Sequence, residues 1–344
     1  MHLRDASLVL TGPPPPYNRV RRPGYAVAMR VAAIDCGTNS LRLLVADVDP
    51  ATGSLHDVTR EMVVVRLGEG VDRTGVFAPE ALERTFAVVD AYAETCRALG
   101  AEAIRFVATS ASRDVLNREE FASGIESRIG VSPDVISGHE EASLSFLGAT
   151  ANVAERRAGP FLVVDLGGGS TELALGTTEV TAAYSMNVGC VRMTERRLRS
   201  DPPTDVEVAI AADEILAALG RASAEVPLGQ TRTLIGLSGT ITTVTAHALA
   251  LDAYRPELID GSVLPLEAVR ASCAALLNAT REERAAMPFM HPGRVDVIGG
   301  GALVWSVVVD WVAREVEAAG GSLETVVTSE HDILDGIALA LVPA

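Results

Sequence analysis

Residues 30–48 run as two apolar stretches around a short polar turn: the first ends in Asp35 and Cys36, the turn is Gly37-Thr38-Asn39-Ser40, and the second follows. Apolar and β-branched runs that flank a Gly/Asn/Ser bend predict two strands joined as a hairpin. "VTREMVVVRLGEGV" predicts a third strand that ends in a glycine-flanked loop. The period then changes. In "PEALERTFAVVDAYAETCRALG" apolar residues recur three and four apart, Pro79 stands near the start and Gly100 follows the end, which predicts a helix. "AIRFVATSASRDV" predicts a strand running into a loop, "NREEFASGIESRIG" a helix, and "DVISGHEEASLSFLGAT" a short strand, a turn and a helix beginning around Glu140.

From residue 161 the order restarts. "FLVVDLGGGSTELALG", laid on the first hairpin with Asp165 on Asp35, repeats the phrase Asp, any residue, Gly, two further residues, Ser, then a second apolar stretch. A capped helix at "PTDVEVAIAADEILAALG" follows, opened by Thr204 with Glu207 three residues on. "TRTLIGLSGTITTVTAHAL" predicts strand, turn and helix. The remainder is expected to be helical apart from a strand at "LETVVTS", closing with an amphipathic helix at "EHDILDGIALALV". A β-β-β-α-β-α order given twice is an internal duplication.

Composition bounds the class. With 344 residues, 48% of them apolar, the chain suits two well-packed domains. No apolar run reaches the roughly 20 residues of a bilayer-spanning helix, so no membrane partner is expected. Residues 1–28, with the run "GPPPPYNRVRRPG", read as a disordered extension or a mis-called start, since Met29 stands directly before the first strand. Cys36, Cys96, Cys190 and Cys273 lack ligand or disulfide spacing, which fits a reducing cytoplasm. Cys36 aligns with Leu166 and reads as apolar filler.

Charge narrows the chemistry further. There are 45 acidic residues against 29 basic ones, a net charge of −16, and every basic residue is Arg. A chain without lysine has no P-loop of the GxxxxGK[ST] type, no Schiff-base lysine and no kinase-type lysine. The acidic balance argues against nucleic acid as a partner. A polyanionic ligand would be held by backbone amides, arginines and a metal ion.

The duplicated turns supply such amides, because Gly and small residues leave several N–H groups open to an approaching anion. Gly37, Thr38, Asn39 and Ser40 in the first copy, and Gly167, Gly168, Gly169 and Ser170 in the second, are candidate phosphate-binding groups, with Asp35 opening the first phrase. The turn "GLSGT" adds Gly239 and Thr240 at a helix N-terminus. Arg113 follows a strand among hydroxyl residues and suits bidentate phosphate contact. Of Glu140 and Glu141, about 100° apart on one helix, only one can face a cleft and take a proton from water. His139 beside them reads as an exposed turn residue.

These segments, "AIDCGTNSLRLLVADV", "ATSASRDVLN", "ISGHEEASLSFLGA", "VVDLGGGSTELALG", "NVGCVRMTE" and "LIGLSGTITTVTA", resemble in order the motifs of the exopolyphosphatase/guanosine pentaphosphate phosphohydrolase (Ppx/GppA) family. That family is a branch of the superfamily that also holds sugar kinases, actin and the Hsp70 ATPase domain. The resemblance implies an α/β protein of two ribonuclease-H-like (actin-like ATPase) domains with an interdomain active-site cleft. Residues 29–139 plus the C-terminal helix within 329–344 would form domain I, and 140–328 domain II. It implies release of orthophosphate from the ends of inorganic polyphosphate, with Mg²⁺ as cofactor. Glu141 matches the catalytic base, Asp165 and Glu172 the metal-associated carboxylates, and Gly37–Ser40, Arg113 and Gly167–Ser170 the phosphate-binding groups.

Two departures stand out. The helical domain of long family members does not follow the second core, which points to short chains as substrate. Leu334 stands where many members carry Arg in a "GLREG" segment. Hydrolysis of the 5′-phosphate of guanosine pentaphosphate (pppGpp) and a nucleotide-binding or ATPase module are the alternative readings. The resemblance leaves room for a homodimer.

Overall fold

A computed structural model of the protein describes residues 28–113, 115–154 and 156–342. The N-terminal arm expected at 1–28 lies, apart from Ala28, outside the described residues. Strands β1 (Met29–Cys36), β2 (Ser40–Val48), β3 (Leu55–Val64), β4 (Ala103–Ala108) and β5 (Asp134–Val135) form one sheet in the order β3-β2-β1-β4-β5. Within it β1, β2 and β3 pair antiparallel, while β4 and β5 continue parallel. A second sheet holds β6 (Phe161–Leu166), β7 (Thr171–Gly176), β8 (Val180–Met186), β9 (Thr233–Leu237), β10 (Val263–Pro265) and β11 (Thr325–Thr328), ordered β10-β11-β9-β6-β7-β8. Taken from β8 inward, β8-β7-β6-β9-β11 has the order and directions of the first sheet, with antiparallel β10 added at the edge. The chain is thus built of two ribonuclease-H-like sheets, the fold class its sequence predicts.

The helices of eight residues or more are α1 (Pro79–Leu99), α2 (Arg118–Ile129), α3 (Gly138–Val153), α4 (Cys190–Arg197), α5 (Asp205–Glu225), α6 (Ser238–Ala248), α7 (Leu266–Asn278), α8 (Ile298–Ala318) and α9 (Ile333–Ala340). The central strands read as nearly unbroken apolar runs because both their faces are covered. On β1, Ala32, Ile34 and Cys36 join a core with Leu82 and Val89 of α1 and Phe121 and Ile125 of α2. Val31 and Ala33, on the opposite face, pack with Ile333, Leu334, Ile337 and Ala338 of α9. On β6, Leu162 and Val164 face α5, α6 and α8, while Phe161 and Val163 meet Ala142, Phe146 and Ala149 of α3.

Each half therefore lends its last helix to the other. Helix α3 follows β5 yet covers the second sheet, and α9 follows β11 yet covers the first. Where the two helices cross, only glycine fits. A Cβ on Gly148 would fall onto the Asp332 carbonyl, within 2.9 Å of its carbon, and one on Gly336 would fall onto the Leu144 carbonyl, within 2.7 Å of its carbon. Leu334 is 1% exposed in this layer, so the side chain that departs from the family segment is a core residue.

Three local features differ from the sequence expectations. Strand β10 has only three residues, too few to register as a period. The loop after β4 tightens into one helical turn at Ser110–Arg113. Helix α3 starts at Gly138 rather than near Glu140, because the Ser137 hydroxyl caps it by accepting the Glu140 N–H at 3.2 Å. Among the described residues no helix is long and apolar enough to cross a membrane.

Candidate active site

The duplicated turns close in the same way: Gly37 N–H donates to Ser40 O, and Gly167 N–H to Ser170 O, each at 3.0 Å. They face one another closely enough that a Cβ on Gly168 would lie 3.0 Å from Thr38 Cβ, and one on Gly169 2.7 Å from Thr38 Oγ1. Between them lies a cleft of about 110 Å³. It is lined by Asp35, Gly37, Thr38, Asn39, Ser40, Glu141, Asp165, Gly167, Gly168, Ser170, Gly239 and Thr240, all candidates from sequence. Gly169 is wedged between Thr38 and Ser110.

Glu172 sits on β7 directly across from Asp165, 1% exposed, and accepts a hydrogen bond from Ser185 Oγ at 2.7 Å. Arg113 lines the neighbouring depression rather than the cleft, and reaches the site through an ion pair with Glu141.

Register exposes how the copies differ. In the first, Asp35 pairs across the hairpin with Arg42, whose Nη2 donates to Asp35 Oδ2 at 2.7 Å and whose Nη1 pairs with Asp332. In the second, the equivalent partner of Asp165 is Glu172, another acid. Side chains directly opposite on one face of a hairpin interact, so the first Asp has a resident cation and the second a repulsive neighbour. Asp165 is held instead by hydroxyls, Ser145 Oγ donating at 2.6 Å and Ser238 Oγ closing on Oδ1. Ser238 itself adopts φ 73°, a left-handed backbone that costs a non-glycine residue about 1–2 kcal/mol, at the N-terminus of α6.

The electrostatics follow from this crowding. Burial pushes Glu172 up to about 7, helped by the charge of Asp165 and opposed by Ser185 and Ser170. Burial and the charge of Glu172 hold Glu141 well above the usual carboxylate range, against the pull of Arg113. Asp165 is raised by burial and by Asp332, and Asp35 by burial against Arg42. Buried carboxylates that resist ionisation together mark a place that favours added positive charge.

The donor set suits a hard divalent cation. Asp35 Oδ1 is buried without a hydrogen-bond partner, and the acidic donors are all oxygens. Among the described residues no group of three or more acidic, His or Cys side chains is arranged to hold a metal ion. One or two carboxylates completed by water and substrate oxygens is the binding mode magnesium favours.

Several site residues escaped the sequence reading. Ser110, Ser238 and Arg294 line the cleft. Ser145 stands four residues after Glu141 on α3, a spacing that puts both on one face and could have revealed it. Arg294 enters from the turn at Pro292–Arg294, its guanidinium 5.7 Å from the Tyr254 ring centroid, and no motif marks it.

Two sheets of one topology, exchanged helices and paired glycine turns across a cleft define a two-domain protein of the ribonuclease-H-like, actin-like fold class. The profile of the Ppx/GppA phosphatase family matches residues 44–324, and the chain belongs to that family. Exopolyphosphatase 2 of Mycobacterium tuberculosis is 51% identical over 319 residues, 91% of this chain and 98% of that protein. A solved exopolyphosphatase-like protein is 47% identical with a TM-score of 0.88, covering 91% of this chain and 98% of that one. A Ppx/GppA family member from Aquifex aeolicus is 28% identical with a TM-score of 0.74, covering 91% and 97%.

Proposed function

We propose that this chain is a cytoplasmic exopolyphosphatase that releases orthophosphate from the ends of short inorganic polyphosphate chains, with Mg²⁺ as its cofactor. The observation that carries this reading is the facing pair of glycine turns with the Glu141 carboxylate in the cleft between them. The amides of both turns and of the Gly239-Thr240 turn bind successive phosphoryl groups. Arg294, which lines the cleft, adds a guanidinium contact. Asp165 and Glu172 are the residues that would hold the metal ion, which when bound neutralises phosphate charge.

Glu141 accepts a proton from water as the water oxygen bonds to the terminal phosphorus. The bridging P–O bond breaks, and its electron pair leaves on the shortened chain. That leaving group is a weakly basic phosphate, so no general acid is needed. A carboxylate held above its ordinary range is the stronger base near neutral pH. Arg113 keeps it oriented.

The division into 29–139 with 329–344 and 140–328 fits this reading, since each part then contributes one of the two duplicated turns to the cleft. The alternative substrates fit less well. The described residues lining this cleft include no aromatic side chain on which a base could stack. Incubation with Mg²⁺ and, separately, short polyphosphate, long polyphosphate, pppGpp and ATP is expected to release phosphate fastest from short polyphosphate. Untouched polyphosphate beside hydrolysed ATP or pppGpp would overturn the reading. A homodimer would appear in light scattering at twice the 36.0 kDa chain mass.

A further inference from the structure

In-line displacement places the attacking water between Glu141 and the terminal phosphorus and the leaving chain on the far side. The new orthophosphate therefore forms between Glu141 and a shortened chain still lying on the glycine turns. An exit on the Glu141 side frees the product without releasing that chain. A depression of about 390 Å³ opens there, lined by Ser110, Arg113, Gly138, Tyr184, Ser185 and Asn187. Ser110 lines both this depression and the cleft, and its hydroxyl lies 3.1 Å from Thr38 Oγ1 of the first turn.

The wall between the two spaces is the Arg113–Glu141 pair. Arg113 Nε is buried without a hydrogen-bond partner, a donor open to an anion. The backbone of Gly138 approaches so closely that an added Cβ would lie 2.8 Å from Ser185 Oγ and 3.0 Å from Arg113 Nη1. Hydroxyls, an amide and one guanidinium make a path that can pass a phosphate ion from donor to donor.

We infer that this depression is the exit for orthophosphate, gated by Ser110 and the Arg113–Glu141 pair and separate from the mouth through which the chain enters. The inference rests on the polyphosphate reading above. Asn187→Trp, at an exposed position on the rim, and Ala183→Trp, on the β8 wall of the depression, both narrow it without touching the cleft.

The test is rapid-quench phosphate release from polyphosphate, with melting curves to select folded variants and Val206→Trp, exposed on α5, as the control for a bulky surface residue. Single-turnover rates are expected to stay within twofold of wild type. Steady-state turnover is expected to fall about tenfold, with a burst of one phosphate per site, and longer chains to give intermediate lengths. Unchanged steady-state turnover in either folded variant, or an equal loss in single turnover, overturns the exit. Wild-type protein inert toward polyphosphate overturns the functional reading instead.

Discussion

Gly336→Ala tests whether packing between α3 and α9 sets the catalytic geometry. The added methyl would meet the Leu144 carbonyl carbon at 2.7 Å, about 0.7 Å inside ordinary contact, and the oxygen more closely still. The obstacle is backbone, so no side-chain rotation relieves it and the two helices must part. Alanine gains about 1 kcal/mol of helix propensity over glycine, while overpacking costs about 1–3 kcal/mol. With rigid backbone on both sides the upper end applies, leaving a net loss of about 2 kcal/mol. For a chain of this size that lowers Tm by roughly 3 °C.

Helix α3 carries Glu141 and Ser145, so its displacement also moves the base. A shift of roughly 1 Å near reacting groups costs on the order of 100-fold in rate. Gly220→Ala on α5 is the control: nothing stands within 4 Å of its added methyl, so the same substitution is expected to stabilise there. Thermal melts and phosphate-release rates of the two variants check both effects. A Gly336→Ala protein that melts at or above wild type with full activity would refute the crossing and its link to catalysis.

Other consequences are as direct. Between pH 4.5 and about 7 the folded, metal-free protein keeps a proton on Glu172 that the unfolded chain has lost, so stability falls as pH rises through that interval and levels above it. Glu172→Gln is expected to make this slope shallower, leaving the share of the other raised carboxylates, Glu141 and Asp165, read by melts at pH 5 and pH 8, and an identical slope in the variant would contradict the assignment. Arg42→Met leaves Asp35 and Asp332 without their shared guanidinium and is expected to cost about 3–5 kcal/mol at neutral pH, as breaking a buried ion bridge does. Denaturant titration measures it; a loss under 1 kcal/mol would show the bridge to be dispensable. Asp165→Asn is expected to weaken Mg²⁺ binding in calorimetry at least tenfold, and unchanged affinity would move the metal elsewhere.

The duplication makes most of this architecture legible in the sequence. The apolar runs of β1 and β6, the caps of α1 and α5, and the aligned Asp-x-Gly phrases all act locally, and a local signal survives in sequence. What stayed hidden is tertiary. That α3 and α9 exchange partners depends on which sheet each helix meets, and Gly148 and Gly336 look like ordinary helix glycines until the crossing is seen. Leu334, the departure from the family segment, shows as a core side chain only once the layer under α9 is seen. Arg294 sits outside every repeated phrase, so nothing in its neighbourhood announced a place in the cleft. The contrast between Arg42 and Glu172 was visible in the alignment, yet only strand register shows why it matters: each stands directly opposite the Asp of its own copy.

The central claim, that Glu141 activates water in a cleft built from two glycine turns, is tested most directly by phosphate release from short polyphosphate with Mg²⁺ by wild type and Glu141→Gln. The amide keeps the size and buried position of the carboxyl but accepts no proton. Loss of general-base catalysis is expected to lower turnover by about 10²–10⁴-fold, with polyphosphate binding and the melting curve retained. Wild-type turnover in Glu141→Gln would contradict the account.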